Sequence, residues 1–258
     1  MRPSIRIGPL PVMMLAALVA GAAPVSAASL ALVLAVDVSE SVSTERYVLQ
    51  HDGIANAFET PQLINAIARM PGGIEALVLE WSDPDKIAVT VDWTKVVDAE
   101  SAGGFAASVR KSERSSRGLT AIGAALQAAG VAFDRLPEPA AHKVVDVSGD
   151  GIANFGTAPS GVRDQLVAQG ITINGLAILT EEPWLADYYR QNVIGGAAGF
   201  CLVAENMDSF AEAILRKLVQ EVSLLGVVPA KAGTHPSGAR AAEKWVPAFA
   251  GTTPSTVR

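Results

Sequence analysis

Five oxygen-bearing side chains, in three short pieces of the chain, have the types and order to hold a hard divalent cation. Asp37-Val38-Ser39-Glu40-Ser41 sets one carboxylate and two hydroxyls at alternate positions. Arg117-Gly118-Leu119-Thr120 adds a hydroxyl, and Gly149-Asp150-Gly151 adds a second carboxylate. Mg²⁺ prefers all-oxygen sets of this kind and usually keeps some of its waters. Each piece also has an ordinary explanation. Thr120 suits a helix N-cap, and Asp-Gly pairs favour turns. What separates the two readings is whether the fold brings the pieces together.

The elements that must position them alternate along the chain. Leu30–Val36 is an apolar run that reads as a buried strand ending at Asp37. Thr44–Phe58 and Pro61–Arg69 read as helices, then Ile74–Trp81 and Lys86–Trp93 as strands joined by a tight Ser82-Asp83-Pro84-Asp85 hairpin. Ala99–Lys111 and Thr120–Arg135 read as helices, and Lys143–Ser148 as a strand leading to Asp150. A helix over Ser160–Gln169, a strand over Ile171–Leu179 and a short helix over Pro183–Gln191 follow. Phe200–Ala204 is the last strand and Asp208–Val222 the last helix. This alternation predicts a doubly wound α/β fold. Its six-stranded sheet is mostly parallel, with one antiparallel edge strand and helices on both faces. In such a sheet the first strand and the strand before Asp150 run parallel, so both carboxylates emerge at one edge. Ligands bind there, at the carboxyl ends of strands near the switch point.

The rest of the sequence bounds the function. Arg2, Arg6, the apolar Leu10–Ala23 and the small residues Val25-Ser26-Ala27 read as a signal peptide over residues 1–27. The apolar stretch is short for a membrane span. The expected location is therefore periplasmic or secreted, with no span in the mature chain. Cys201 is the single cysteine, so no internal disulfide forms, and residues 28–225 must be held by a packed core. The net charge of −6 argues against a nucleic-acid partner. Arg110, Lys111, Arg114 and Arg117 read as a solvated helix end and loop, and His51, His142 and His235 are scattered. In the tail over 226–258, Val228–Thr234 recurs as Val246–Thr252 with Phe249 in place of Lys231. Its Pro, Gly, Ala and Thr content reads as disorder, and it resembles translated intergenic repeat DNA from bacterial genomes.

The three pieces, in this order on these elements, resemble the von Willebrand factor A domain. That family's metal-ion-dependent adhesion site has the pattern Asp-x-Ser-x-Ser, then Thr, then Asp. Asp146-Val-Ser-Gly-Asp-Gly151 resembles an uncharacterised secreted bacterial branch of it. The resemblance implies that Ser39 and Ser41 bind the ion through their hydroxyls, and Thr120 directly or through water. Asp37 and Asp150 would bind directly or hold coordinated waters. It implies Mg²⁺ first, Mn²⁺ or Ca²⁺ as alternatives, and a protein or peptide partner whose carboxylate completes the shell of a monomeric, non-enzymatic module. Two departures stand out. Gly149 occupies a place where the family has Thr or Ser, and Asp146 interrupts an apolar strand. Asp146 is expected just outside the cation's ligands, or satisfied by a helix N-terminus or backbone groups, or as the true acid with Asp150 in a turn. Glu181 and Glu182 follow a strand onto the same edge, as ring residues or solvated loop acids. Ser82 and Asp83 are explained by hairpin chemistry.

Other chemistries fit less well. A haloacid dehalogenase-like phosphatase would use Asp37 as nucleophile and Gly149-Asp150-Gly151 as a later motif. It needs an acid two residues after Asp37, where Ser39 stands. No Gly-x-Gly-x-x-Gly follows a strand, and no Gly-x-Ser-x-Gly elbow is present. A structural domain with a vestigial metal site is a further alternative, but all five oxygen ligands are kept.

Overall fold

The computed structural model describes residues 27–180 and 182–226. The expected signal peptide, the tail and Glu181 lie outside the described residues. The strands are β1 (Ala28–Asp37), β2 (Ile74–Trp81), β3 (Ile87–Val96), β4 (Ala140–Gly149), β5 (Ile171–Ile178) and β6 (Cys201–Ala204). The helices are α1 (Thr44–Glu59), α2 (Pro61–Ala68), α3 (Ala99–Lys111), α4 (Ile122–Ala132), α5 (Pro159–Ala168), α6 (Leu185–Asn192) and α7 (Phe210–Gly226).

The six strands form one sheet in the order β3-β2-β1-β4-β5-β6. All neighbours pair in parallel except β2 and β3, whose ladder is antiparallel and bulged near Val78. This is the fold class that the alternation predicts. β1 is central and fully buried, because helices cover both of its faces. Leu30, Leu32, Leu34 and Val36 pack with Ile54 and Phe58 of α1, Phe105 of α3 and Phe210 and Ile214 of α7. Ala31, Val33 and Ala35 face Ile122 and Leu126 of α4, Leu166 of α5 and Tyr189 of α6. The chain leaves β1 for β2 on one side, while β4 pairs on the other. The crevice between the ends of β1 and β4 is thus the switch point.

Two helix starts bear on the site. α1 is capped by Ser43, whose Oγ accepts from the Arg46 backbone N–H. This fixes where the Asp37–Ser43 loop turns into helix. α4 was expected to open at Thr120, but its N-cap is Ala121 and Ile122 is its first residue. The reason lies in the backbone of Thr120. Its N–H donates to Asn154 Oδ1 and its C=O accepts the Asn154 N–H. Thr120 is bridged sideways to the loop after β4, so its capping role does not hold.

Candidate metal centre

Three loops meet at the carboxyl ends of β1 and β4. In the first, Asp37 Oδ1 accepts the backbone N–H of Ser39 at 2.8 Å. This Asx turn directs Ser39 and Ser41 to one side. Their hydroxyls lie 3.1 Å apart, and Ser41 Oγ donates to Asp150 Oδ1 at 2.7 Å. Four of the five expected ligands therefore share one polar cluster: Asp37, Ser39, Ser41 and Asp150. Thr120 is held beside it. Its loop is tied to the first by Glu40 N–H on the Gly118 carbonyl at 2.8 Å, and to the third by the Asn154 bridge. A Cβ built on Gly151 would stand 3.7 Å from Thr120 Oγ1.

The oxygen of most consequence is Asp37 Oδ2. Asp37 is fully buried, yet Oδ2 meets no hydrogen-bond partner among the described residues. Burial, and then the charge of Asp150, push the Asp37 carboxyl up to about 7. Tyr189 Oη, from α6, is another buried oxygen here without a partner among the described residues. A Cβ on Gly149 would meet this phenol oxygen at 2.7 Å and Asp37 Oδ2 at 2.8 Å. That explains why glycine precedes Asp150: a larger residue would strike the Asp37 carboxylate and the Tyr189 phenol. Arg46 approaches Asp150 Oδ2 at 3.5 Å and donates to the Ser41 carbonyl. Among the described residues no cluster of three or more His, Cys, Asp or Glu is placed to hold a metal. This cluster has only two carboxylates, and its hydroxyls supply the rest. The donor chemistry, the unpartnered buried Oδ2 and the glycine cradle fit a small divalent cation.

Two expectations about flanking residues are corrected. Asp146 does not ring the cluster, and no helix N-terminus satisfies it. Its β1 neighbour Leu34 packs with α1 and α7, and on this face Asp146 forms an ion pair with Lys217 of α7. Lys217 is fully buried and also binds Glu221 at 2.7 Å, which accepts from Asn174. Burial, reinforced by Glu221, raises the Asp146 carboxyl, while the two acids outweigh burial and hold the Lys217 ammonium up. The isolated look of Asp146 in the sequence came from a partner 71 positions away (217 minus 146). Ser82 and Asp83 do more than turn the hairpin. The Ser82 carbonyl accepts from Ala121 N–H, and Asp83 Oδ1 accepts from Leu119 N–H. They pin the loop that carries Thr120 from both sides.

A second network was not legible in advance. Arg114, expected in solvent, donates to the carbonyls of Val38, Ser39 and Val42 at 2.7 to 2.8 Å. It clamps the backbone of the loop that bears Ser39 and Ser41. Beneath it, buried Glu80 accepts from Tyr47 Oη and the Ser115 N–H and contacts His51 Nε2. Burial works to raise the Glu80 carboxyl, but the bonds from His51 and Ser115 outweigh it and leave it below its usual range. Arg110, Lys111 and Arg117 are exposed, as expected for that stretch. Nothing in the spacing separates Arg114 from its neighbours; its role depends on a loop distant in sequence.

Solved structures place the fold. Proximal thread matrix protein 1 from the mussel byssus, with a zinc-occupied MIDAS motif, is 18% identical at a TM-score of 0.55, covering 76% of this chain and 46% of that one. A von Willebrand factor type A protein from Catenulispora acidiphila is 18% identical at 0.55, covering 76% and 43%. The vWF domain of the type V pili tip protein Mfa5 from Porphyromonas gingivalis is 11% identical at 0.57, covering 81% and 99%. The chain thus spans less than half the length of the first two, and at such identities the likeness is one of fold. Curated proteins give no sequence match. The fold is that of a von Willebrand factor A domain. The chain belongs to the family described as "Protein of unknown function (DUF1194)", whose model matches residues 27–225.

Proposed function

We propose that the chain is an extracytoplasmic binding module, not an enzyme. Asp37, Ser39, Ser41, Thr120 and Asp150 would hold a divalent cation, Mg²⁺ first. The observation that carries this reading is the fully buried Asp37 carboxylate with an oxygen that no side chain satisfies, set among hydroxyls. A buried unpaired charge is costly, so such a group calls for a cation. Bound there, the ion supplies a coordination position that a carboxylate from a protein partner can fill. Ser39 and Ser41 give neutral oxygens, which leave the ion more of its charge than carboxylates would. Arg114 fixes the loop that presents them. The likeness of the fold to a byssal matrix protein and to the vWF domain of a pilus tip protein supports the binding role. The signal peptide over residues 1–27 gives the location, and residues 28–225 form the working domain. No helix among the described residues is long and apolar enough to cross a membrane.

The test is thermal unfolding of the full chain with EDTA or with millimolar Mg²⁺, Mn²⁺ or Ca²⁺. A ligand that binds only the folded state raises its stability, by about 2.7 kcal/mol at a hundred times Kd. A cation-dependent rise that Asp37→Ala abolishes is the expected outcome. No rise with any of the three ions removes the proposal.

A further inference from the structure

The surface beside the cluster carries information about the partner. Phe155 follows Asn154, and Leu119 precedes Thr120, so the two flank the bonded Thr120–Asn154 pair. Both are exposed, Phe155 at 53% and Leu119 at 45%. Next to them is a groove of about 450 Å³ between the loop after β4 and α6. Phe155 and Tyr188 supply its rings, and Asn154, Ser160 and Asn192 its polar groups. Its wall is fixed, because the Ala153 N–H donates to Tyr188 Oη at 3.2 Å. Trp184 lies one helical turn before Tyr188, joined by the Tyr188 N–H on its carbonyl, and it is 49% exposed. Among the described residues Phe155 and Trp184 are the exposed large aromatics, and both stand on this edge of the sheet.

We infer that the groove receives the residues next to the partner's acid. The occupant is an extended segment of another protein, with an aromatic or large apolar residue within about three positions of an Asp or Glu. This rests on the proposed cation site, which anchors the acid. The groove begins at Asn154, whose side chain holds Thr120, so an acid engaged at the cluster brings its neighbours over Phe155. An extended chain advances about 3.3 Å per residue, so two or three residues beside the acid run about 7–10 Å along this surface. The Asn154 Nδ2 and the Asn192 Oδ1, opposite the amide ends bonded to Thr120 and Tyr188, can pair with a segment's backbone, while Phe155, Tyr188 and Trp184 take its side chain. Aromatic contacts of this kind are worth about 0.5–1.5 kcal/mol, or roughly three- to tenfold in affinity.

A displayed library of nine-residue peptides with a central Asp and random flanks tests this. It is selected on the full chain with Mg²⁺ and counter-selected with EDTA. Expected are Mg²⁺-dependent binders that keep the Asp and favour Phe, Tyr, Trp or Leu near it. Their binding should fall roughly three- to tenfold in Phe155→Ser and in Trp184→Ser, each checked for a parent-like melting temperature, and recover in Phe155→Tyr. Acid-dependent binders with unbiased flanks, or a bias unchanged in both variants, overturn the groove while leaving the cation site standing. If Mg²⁺ raises the melting temperature but no acidic peptide is selected, the segment is likewise refuted. A Mg²⁺-dependent dimer in sedimentation that Phe155→Ser dissolves assigns the groove to a second copy and overturns it too. If Mg²⁺ gives no thermal rise at all, the cation reading fails first, and this inference with it.

Discussion

Asp37→Asn should move stability in opposite directions with and without cation. In the folded protein the Asp37 carboxyl sits at about 7, against an ordinary 3.8, because burial and Asp150 oppose its charge. Between those two values the folded chain holds a proton that the unfolded chain has lost. Stability therefore falls as pH rises from about 4 to about 7, and levels off above it. At about 1.4 kcal/mol per pH unit, ionised Asp37 costs the metal-free fold on the order of 4 kcal/mol at pH 8. Asparagine keeps an acceptor for the Ser39 N–H and removes the charge. Its own buried amide costs about 1–3 kcal/mol, so the variant should be more stable than the parent by about 1–3 kcal/mol at pH 8 in EDTA. At pH 4, where the parent is protonated, the variant should be the less stable of the two, by that amide cost of about 1–3 kcal/mol. With saturating Mg²⁺ the order at pH 8 should reverse, since only the parent gains. Urea unfolding at both pH values, in EDTA and in Mg²⁺, measures all four differences. A variant less stable than the parent at pH 8 in EDTA would refute the reasoning, as would one that gains equally from Mg²⁺.

Further outcomes follow from the same geometry. Gly149→Ala should lose about 1–3 kcal/mol by denaturant unfolding, because its Cβ would strike Asp37 and Tyr189, while Gly151→Ala has ordinary contact distance and should lose less than about 1 kcal/mol. Lys217→Met should lose about 3–5 kcal/mol by stranding Asp146 and Glu221, whereas Asp146→Asn should keep the full Mg²⁺-dependent thermal rise. Arg114→Met should lose at least about 2 kcal/mol, since three carbonyls lose a charged donor, and should also weaken Mg²⁺ binding in calorimetry. Below pH 7, Mg²⁺ binding to the parent should weaken by up to about tenfold per pH unit and release a proton, visible by calorimetry in buffers of different ionisation enthalpy.

The sheet was legible because each strand announces itself locally. Leu30–Val36 is apolar without alternation, which only a strand covered on both faces requires. The Ser82–Asp85 hairpin fixes the antiparallel edge. From that topology alone Asp37 and Asp150 had to share an edge, and they do. What stayed hidden is what pairs across long sequence gaps. Lys217 looks like one charge on an amphipathic helix, yet it is fully buried against Asp146. Arg114 reads as one of four nearby cations, and only the fold shows that it alone reaches the Val38–Val42 loop. Thr120 had the right type for a cap, but its backbone was already committed to Asn154. Type and spacing predict local roles; they do not reveal which of several like residues is taken by a distant partner.

Asp37 and Asp146 make the sharpest comparison in the molecule. They lie on adjacent central strands, both buried, and burial pushes both carboxyls above their usual range. One faces a lysine that the chain supplies from α7. The other has an oxygen with no hydrogen-bond partner among the described residues, a second carboxylate nearby and hydroxyls around it. If α/β packing merely tolerated acids at these positions, both would be expected to have acquired a protein cation, since an unpaired buried charge is among the costliest defects a core can hold. The protein's own lysine sits on the face where nothing needs to enter. On the face open to the loops, Arg46 approaches Asp150 at 3.5 Å, and the cation proposed for this cluster would offset the Asp37 charge.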